Sequence, residues 1–215
     1  MNYLLWVSLG AVAVIGLTVG ITSMMTRKIE TPKYTVLHTI DGIEIRRYPK
    51  MTIARTRVSG PSMDQNGSSG FRSVANYIFG GNERKQKIAM TAPVITAQKA
   101  DTSEPDDWYV SFVMPSGSTF GRLPNPNNSQ VKLRELDTET CIAKSFRGRA
   151  TDELSRKITE ELRANSAKAK IALSKETRIC RFDPPFKPGF LQYNEIVIPA
   201  YLDPQPTSGM GSDTY

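Results

Sequence analysis

Residues 43–60 read IEIRRYPKMTIARTRVSG, and residues 131–148 read VKLRELDTETCIAKSFRG. Laid side by side without a gap, Arg46 meets Arg134, Thr52 meets Thr140 and Gly60 meets Gly148. Between them Ile43/Val131, Ile45/Leu133, Tyr48/Leu136, Ile53/Cys141 and Val58/Phe146 keep apolar character. Alternating apolar residues on either side of a turn mark half-buried strands, in the first copy a pair around Pro49. The elements after each closing glycine correspond as well: a helix, then two more strands.

In the first copy Ser68 or Ser69 is placed to cap the helix. Phe71, Val74, Ala75 and Ile78 then fall at i, i+3, i+4 and i+7, one helical face, and Gly80-Gly81-Asn82 ends it. In the second copy Thr151 is the cap, with Asp152 and Glu153 in the positive first turn. Leu154, Ile158 and Leu162 form its apolar stripe. The later strands are predicted at 88–96, 108–114, 177–182 and 194–199. Strands dominate, with two helices among them. The pattern predicts an α+β fold, a distorted antiparallel β-barrel built from two ββαββ-like repeats with flanking helices.

The chain has 215 residues, 39% hydrophobic and 23% charged, which suits one globular domain with an appendage. The appendage is N-terminal. Residues 3–25, YLLWVSLGAVAVIGLTVGITSMM, carry no charge. A helix rising about 1.5 Å per residue over that length spans a hydrocarbon core of about 30 Å. A transmembrane anchor is therefore expected over 1–26. A cleaved signal peptide fits less well, because no Lys or Arg precedes the apolar run and no Ala-x-Ala site follows it. Arg27 and Lys28 follow the run, which by the positive-inside rule places the domain of a single-pass protein on the cytoplasmic side. Residues 27–33 read as a linker, 34–203 as the folded domain and 204–215 as a disordered tail rich in Pro, Gly and Ser. A monomer is expected.

The net charge of +7 favours anionic partners. Nucleic acid is not expected among them, because the basic run Arg84, Lys85, Lys87 has no interleaved aromatics. Cys141 and Cys180 form no Cys-x-x-Cys pair, and His38 is the single histidine. No nucleophile elbow, zinc-protease motif, phosphate loop or dinucleotide fingerprint is present. Binding is expected ahead of catalysis. An enzyme acting on small apolar molecules would need a buried carboxylate, for which Glu44 and Glu195 are the candidates. A protein-interaction module is a third reading. Met90, in the small-residue run Ala89-Met90-Thr91-Ala92, offers a soft apolar contact to a ligand.

Six segments resemble the SOUL haem-binding family in order and spacing. They are YTVLHTIDGIEIRRY at 34–48, YIFGGN at 77–82, KIAMTAPV at 87–94, WYVSFVMP at 108–115, LPNPNNSQVKLRE at 123–135 and FDPPFKPGFLQYNEIVIP at 182–199. The resemblance covers residues 34–201. It implies a distorted barrel of two repeats that holds haem or another tetrapyrrole non-covalently in a shallow hydrophobic groove. The groove would lie by the first helix and the loop before the last strand, at Phe71, Val74, Ala75, Ile78, Phe186 and Phe190, with Arg72 and Lys187 to meet propionates. A porphyrin has two wide apolar faces and two carboxylates, so apolar walls and a basic rim suit it. Some family members read Glu-Ile-Arg-His-Tyr where this chain has Arg47 before Tyr48. Guanidinium does not ligate iron, which leaves His38 as the candidate metal ligand.

Overall fold

The computed structural model describes residues 29–60, 63–98 and 107–202. The expected anchor over 1–26 and tail over 204–215 lie outside the described residues. Among those described, no helix is long and apolar enough to cross a membrane.

The strands are β1 (Thr35–Ile40), β2 (Ile43–Tyr48), β3 (Met51–Ser59), β4 (Val94–Gln98), β5 (Asp107–Val113), β6 (Val131–Leu136), β7 (Glu139–Arg147), β8 (Ala172–Leu173), β9 (Arg178–Arg181) and β10 (Tyr193–Tyr201). The helices are α1 (Met63–Ile78) and α2 (Asp152–Lys168). The strands form one sheet in the order β1-β2-β7-β10-β9-β4-β5-β3-β6, with β8 added to β10. Exchanging the two copies (β2 for β6, β3 for β7, β4 for β9, β5 for β10) leaves the order from β2 to β6 unchanged when it is read backwards. The sequence repeat is thus a two-fold relation in the sheet, with β4 and β9 meeting at its centre.

This order forces curvature. β2 and β3 stand six strand intervals apart, which in a flat sheet is ~29 Å at ~4.8 Å per strand. Only Pro49 and Lys50 join them, and a two-residue link reaches at most ~11 Å. The same holds for β6 and β7 across Asp137 and Thr138. The sheet therefore curls until its ends approach, giving an open half-barrel.

Three expectations need correction. The strands flanking Pro49 do not pair with each other: β2 pairs with β7 and β3 with β6, each repeat lending a strand to the other. Helix α1 starts at Met63, so Ser68 and Ser69 lie inside it and do not cap it. Its first turns are polar and contain Gly67, and weak local propensity hid them. The strand expected from 88 begins only at Val94. Pro93 has no N–H for a ladder, and the residues before it make other bonds: Ile88 N donates to Ile78 O (2.8 Å) and Thr91 Oγ1 to Val113 O (2.5 Å). The Thr151 cap is as expected, its hydroxyl accepting from Leu154 N at 3.3 Å.

Both faces of the curled sheet are buried. On the convex face α1 packs over Ala54, Val110 and Phe112, while α2 sets Ile158 and Leu162 on Ile142, Ile196 and Ile198. Helix α1 approaches closely enough that a Cβ on Gly70 would lie 2.5 Å from Val110 Cγ2, so only glycine fits there. Gly60 and Gly148, the paired repeat endings, both have positive φ (154° and 113°), which explains why both copies end on glycine. On the concave face Cys141, Ala143, Cys180 and Val197 form a third apolar cluster.

Candidate functional site

Strand alternation sends every second residue to the concave face. On β2 Ile43 and Ile45 pack toward α2, so Glu44, Arg46 and Tyr48 turn inward. On β10 Ile196 and Ile198 face α2, while Glu195 and Val197 line the concavity. The result is a cavity of about 300 Å³ walled by Tyr34, Tyr48, Phe182 and Tyr193 and floored by Ile95, Cys180 and Val197.

Charge is buried in this cavity. Arg46 and Glu195 are each 3% exposed. Arg46 Nη1 and Nη2 donate to Glu195 Oε2 and Oε1 at 2.7 and 3.0 Å, and Arg46 Nε donates to Glu44 Oε2 at 2.7 Å. Tyr193 Oη donates to Glu195 Oε1 at 2.6 Å. Burial alone would lower the basicity of Arg46, but its hydrogen bonds with Glu195 and Tyr48 reverse that and hold the guanidinium above its ordinary value. Burial, then the bond to Glu195, pushes the Tyr193 phenol up to about 12. A second cluster repeats the pattern: Arg178 pairs with Glu139 and with Glu176 (2.5 Å). Burial pushes the Cys141 thiol up to about 12 and the Cys180 thiol up as well, and both cysteines are unpaired. Neither thiol is a nucleophile at neutral pH. Glu195 is tied to Arg46 twice and to Tyr193 once.

The segment before β1 closes one side of the cavity. Ala92 N donates to Glu30 O at 2.8 Å and Ser116 N to Glu30 Oε1 at 2.6 Å. Those bonds from Ser116 hold the Glu30 carboxyl below its ordinary value. Thr31 and Pro32 then wall both this cavity and a neighbouring one of about 380 Å³. Tyr34 packs against Tyr48 at a 53° tilt (5.2 Å between centroids), with the Arg46 guanidinium 4.2 Å from the Tyr34 ring. Residues 29–33, read as a linker, are thus bound to the domain.

A second surface of different character lies outside, on the loop between β9 and β10. Phe186 and Phe190 are 68% and 72% exposed, a large apolar area to leave in water. Asp183 fixes this loop by accepting from Lys187 Nζ (2.8 Å) and from Tyr193 N (2.7 Å). Gly148 N donates to Gln192 O, and a Cβ on Gly189 would lie 3.7 Å from Arg149 Cβ. Arg147 donates to Leu191 O at 3.4 Å. The exposed Arg147 and Arg149 therefore meet the Gly189–Leu191 end of the loop that carries the two exposed phenylalanines, and the Arg147 guanidinium lies 5.5 Å from the Tyr193 ring centroid.

The residues singled out in the sequence separate between these places. Val74, Ala75 and Ile78 are buried in the core under α1, and Phe71 packs against Phe112 at 5.2 Å between centroids, so their stripe faces the sheet. Met90 packs on the same core, and Arg72 is exposed. Lys187 is the partner of Asp183, with its side chain 10% exposed, and holds the loop together. His38 stands on the exposed edge strand β1, opposite Ile45, and does not line the cavity. Among the described residues no group of three or more His, Cys, Asp and Glu is arranged to hold a metal ion. The Arg46–Glu195 pair was missed because its partners lie 149 residues apart. Arg147 and Arg149 follow the Phe146 of the repeat, and only the folded loop brings them beside Phe186 and Phe190.

The fold and these two surfaces define a class: a pseudo-two-fold α+β half-barrel with a concave cavity and an exposed aromatic loop. The SOUL heme-binding protein family model matches residues 29–199, and the chain belongs to that family. Human Heme-binding protein 2 is 33% identical over 108 residues, 49% of this chain and 52% of the relative, so the match spans about half of that protein's length. Heme-binding protein 1 of Xenopus laevis is 25% identical over 162 residues, 73% of this chain and 83% of the relative. Among solved structures the EcmrR C-terminal domain superposes with a TM-score of 0.56 at 14% identity, covering 78% of this chain and 98% of that one. A complex of EcmrR with DNA gives 0.58 at 12% identity, covering 91% and 69%. These structures share the fold.

Proposed function

We propose that this protein binds haem or a related tetrapyrrole reversibly and without catalysis, on the loop between β9 and β10, while tethered to a membrane by residues 1–26. The observation that carries the reading is the exposure of Phe186 and Phe190 beside Arg147 and Arg149, in a chain of the SOUL family. The rings offer an apolar platform for one porphyrin face, and the arginines offer bidentate donors to propionates. The cavity of about 300 Å³ is at the lower limit for small-molecule sites and is too small for a four-ring macrocycle. The apolar stripe of helix α1 is spent on the core and leaves no wall for a ligand.

The loop sequence FDPPFKPGFLQY holds no histidine, cysteine or methionine, and the hydroxyl of its one tyrosine, Tyr193, is engaged by Glu195, so recognition runs through the ring and its carboxylates, not through iron. Haemin and metal-free protoporphyrin should then bind alike. Titrating the full-length chain with each tests this. Saturation at one equivalent by both supports the reading, with His38→Ala leaving the haemin spectrum unchanged. A haemin-only response, abolished by His38→Ala, would move the site to β1. The tether is tested by carbonate extraction of membranes: retention in the pellet supports it, and release contradicts it.

A further inference from the structure

We propose that the loops after α1 and after β5 dock on an anionic lipid surface, that of the membrane to which residues 1–26 tether the chain. The inference rests on that tether and adds which face of the domain meets the lipid. Position argues first. Glu30 forms a bridge with Thr91, and its carboxylate accepts from Ser116 N at 2.6 Å. Thr91 lies four residues after Lys87 and Ser116 four residues before Phe120, at most ~14 Å of chain in each case. From the end of the expected anchor at residue 26 to Glu30 is again four residues and at most ~14 Å, of which the headgroup layer takes up ~5–8 Å. A tether that short holds these two loops near the bilayer.

The two loops form one surface. Glu83 N donates to Asn125 O at 3.0 Å, Asn127 N to Gly81 O at 3.1 Å and Arg84 Nη1 to Arg122 O at 3.1 Å. Phe79 and Phe120 are 59% and 46% exposed, and Arg84, Lys85, Lys87 and Arg122 are exposed as well. Residues 79–92 and 115–127 contain those four cations and one carboxylate, Glu83, which accepts from Asn125 Nδ2 at 3.0 Å and so ties loop to loop. Among the described residues Lys85, Lys87 and Arg122 have no ion-pair partner. The fold also supplies the aromatics that the basic run lacks in sequence: Phe79 bridges Lys87, and Phe120 lies two residues from Arg122. Exposed rings set among surplus cations suit an interface whose headgroups are negative and whose next layer is apolar.

Hydrogen exchange by mass spectrometry on the full-length chain tests this, in lipid nanodiscs of phosphatidylcholine and in discs that also contain phosphatidylserine. Exchange across residues 79–88 and 116–123 should be about threefold or more slower in the anionic discs. The difference should vanish at about 0.5 M salt, where the Debye length is ~4 Å. The exposed triple substitution Lys85→Gln, Lys87→Gln and Arg122→Gln should remove the difference and leave the haemin titration unchanged. If that variant does not fold, the salt series on the unaltered protein decides. Equal exchange in both kinds of disc, slowing that persists in salt, or slowing confined to the β9–β10 loop would overturn the proposal. Slowing by an oligonucleotide and not by phosphatidylserine would assign the patch to nucleic acid and overturn it too. Equal exchange with the chain retained in the carbonate pellet strikes the docking alone, and release by carbonate with the slowing kept strikes the tether alone.

Discussion

The concave cavity and the β9–β10 loop are built from adjacent stretches of chain with opposite logic. Inside, charge is buried and every charged group has a partner: Arg46 with Glu195 and Glu44, Arg178 with Glu139 and Glu176. Outside, two aromatic rings are left in water beside two arginines. The inner arrangement ties its charges to one another, and its disruption is costly. The outer one contributes little to folding and is available to a flat ligand. Tyr193 joins them, with its N–H held by Asp183 of the loop and its hydroxyl on Glu195 of the cavity.

Breaking the inner pairing should have the largest effect. Arg46→Met leaves Glu195 buried without its partner and should cost about 3–5 kcal/mol in chemical denaturation. Adding Glu195→Leu should restore most of that, since an apolar pair of similar volume replaces a buried ion pair. A double variant no more stable than the single one would contradict this account. Next is the joint between the regions. Asp183→Ala leaves the Tyr193 N–H and Lys187 without their acceptor and should cost about 1–3 kcal/mol, with weaker haemin binding as the loop loosens. Removing the platform itself, by Phe186→Ala with Phe190→Ala, should leave stability within about 0.5 kcal/mol because both rings are exposed. The same double variant should weaken haemin about tenfold or more, read from the Soret titration.

The smallest effect concerns the segment that closes the cavity. Hydrogen bonds from Ser116 hold the Glu30 carboxyl below its ordinary value. A carboxyl depressed in the folded state adds stability above its unfolded value and loses it as pH falls through the folded one. Acidification below the ordinary carboxylate range should therefore lower the protection factor of the Ala92 amide, its exchange relative to an unstructured amide at the same pH, because Ala92 N donates to Glu30 O. A protection factor that is flat across the acid limb would remove the carboxylate from the account.

Much of this was legible in the sequence. The repeat gave the two-fold arrangement to the residue, since β2 with β3 and β6 with β7 keep one constant offset. Phe186 and Phe190 entered only through the family resemblance, which sets them in the loop before the last strand. The strand exchange was not, because Pro49 between two apolar stretches looks like a hairpin, and only the partner repeat reveals the pairing. The cavity was hidden by alternation itself. In Ile43-Glu44-Ile45-Arg46 the isoleucines mark a buried face and the charged residues look solvated. Once the sheet curls, that second face is interior too, and a partner from β10 neutralises Arg46. The helical stripe of Phe71, Val74, Ala75 and Ile78 was correct as a buried face, and the periodicity that revealed it is that of a core.

The direct test of two separate surfaces is to map the amides broadened by one equivalent of paramagnetic ferric haemin, with diamagnetic zinc protoporphyrin as the reference. The structure predicts broadening across residues 183–192 and at Arg147 and Arg149, with the amides of Ile95 and Val197 in the cavity much less affected. Broadening centred on the cavity or on α1, with the Phe186–Phe190 loop unaffected, would contradict it.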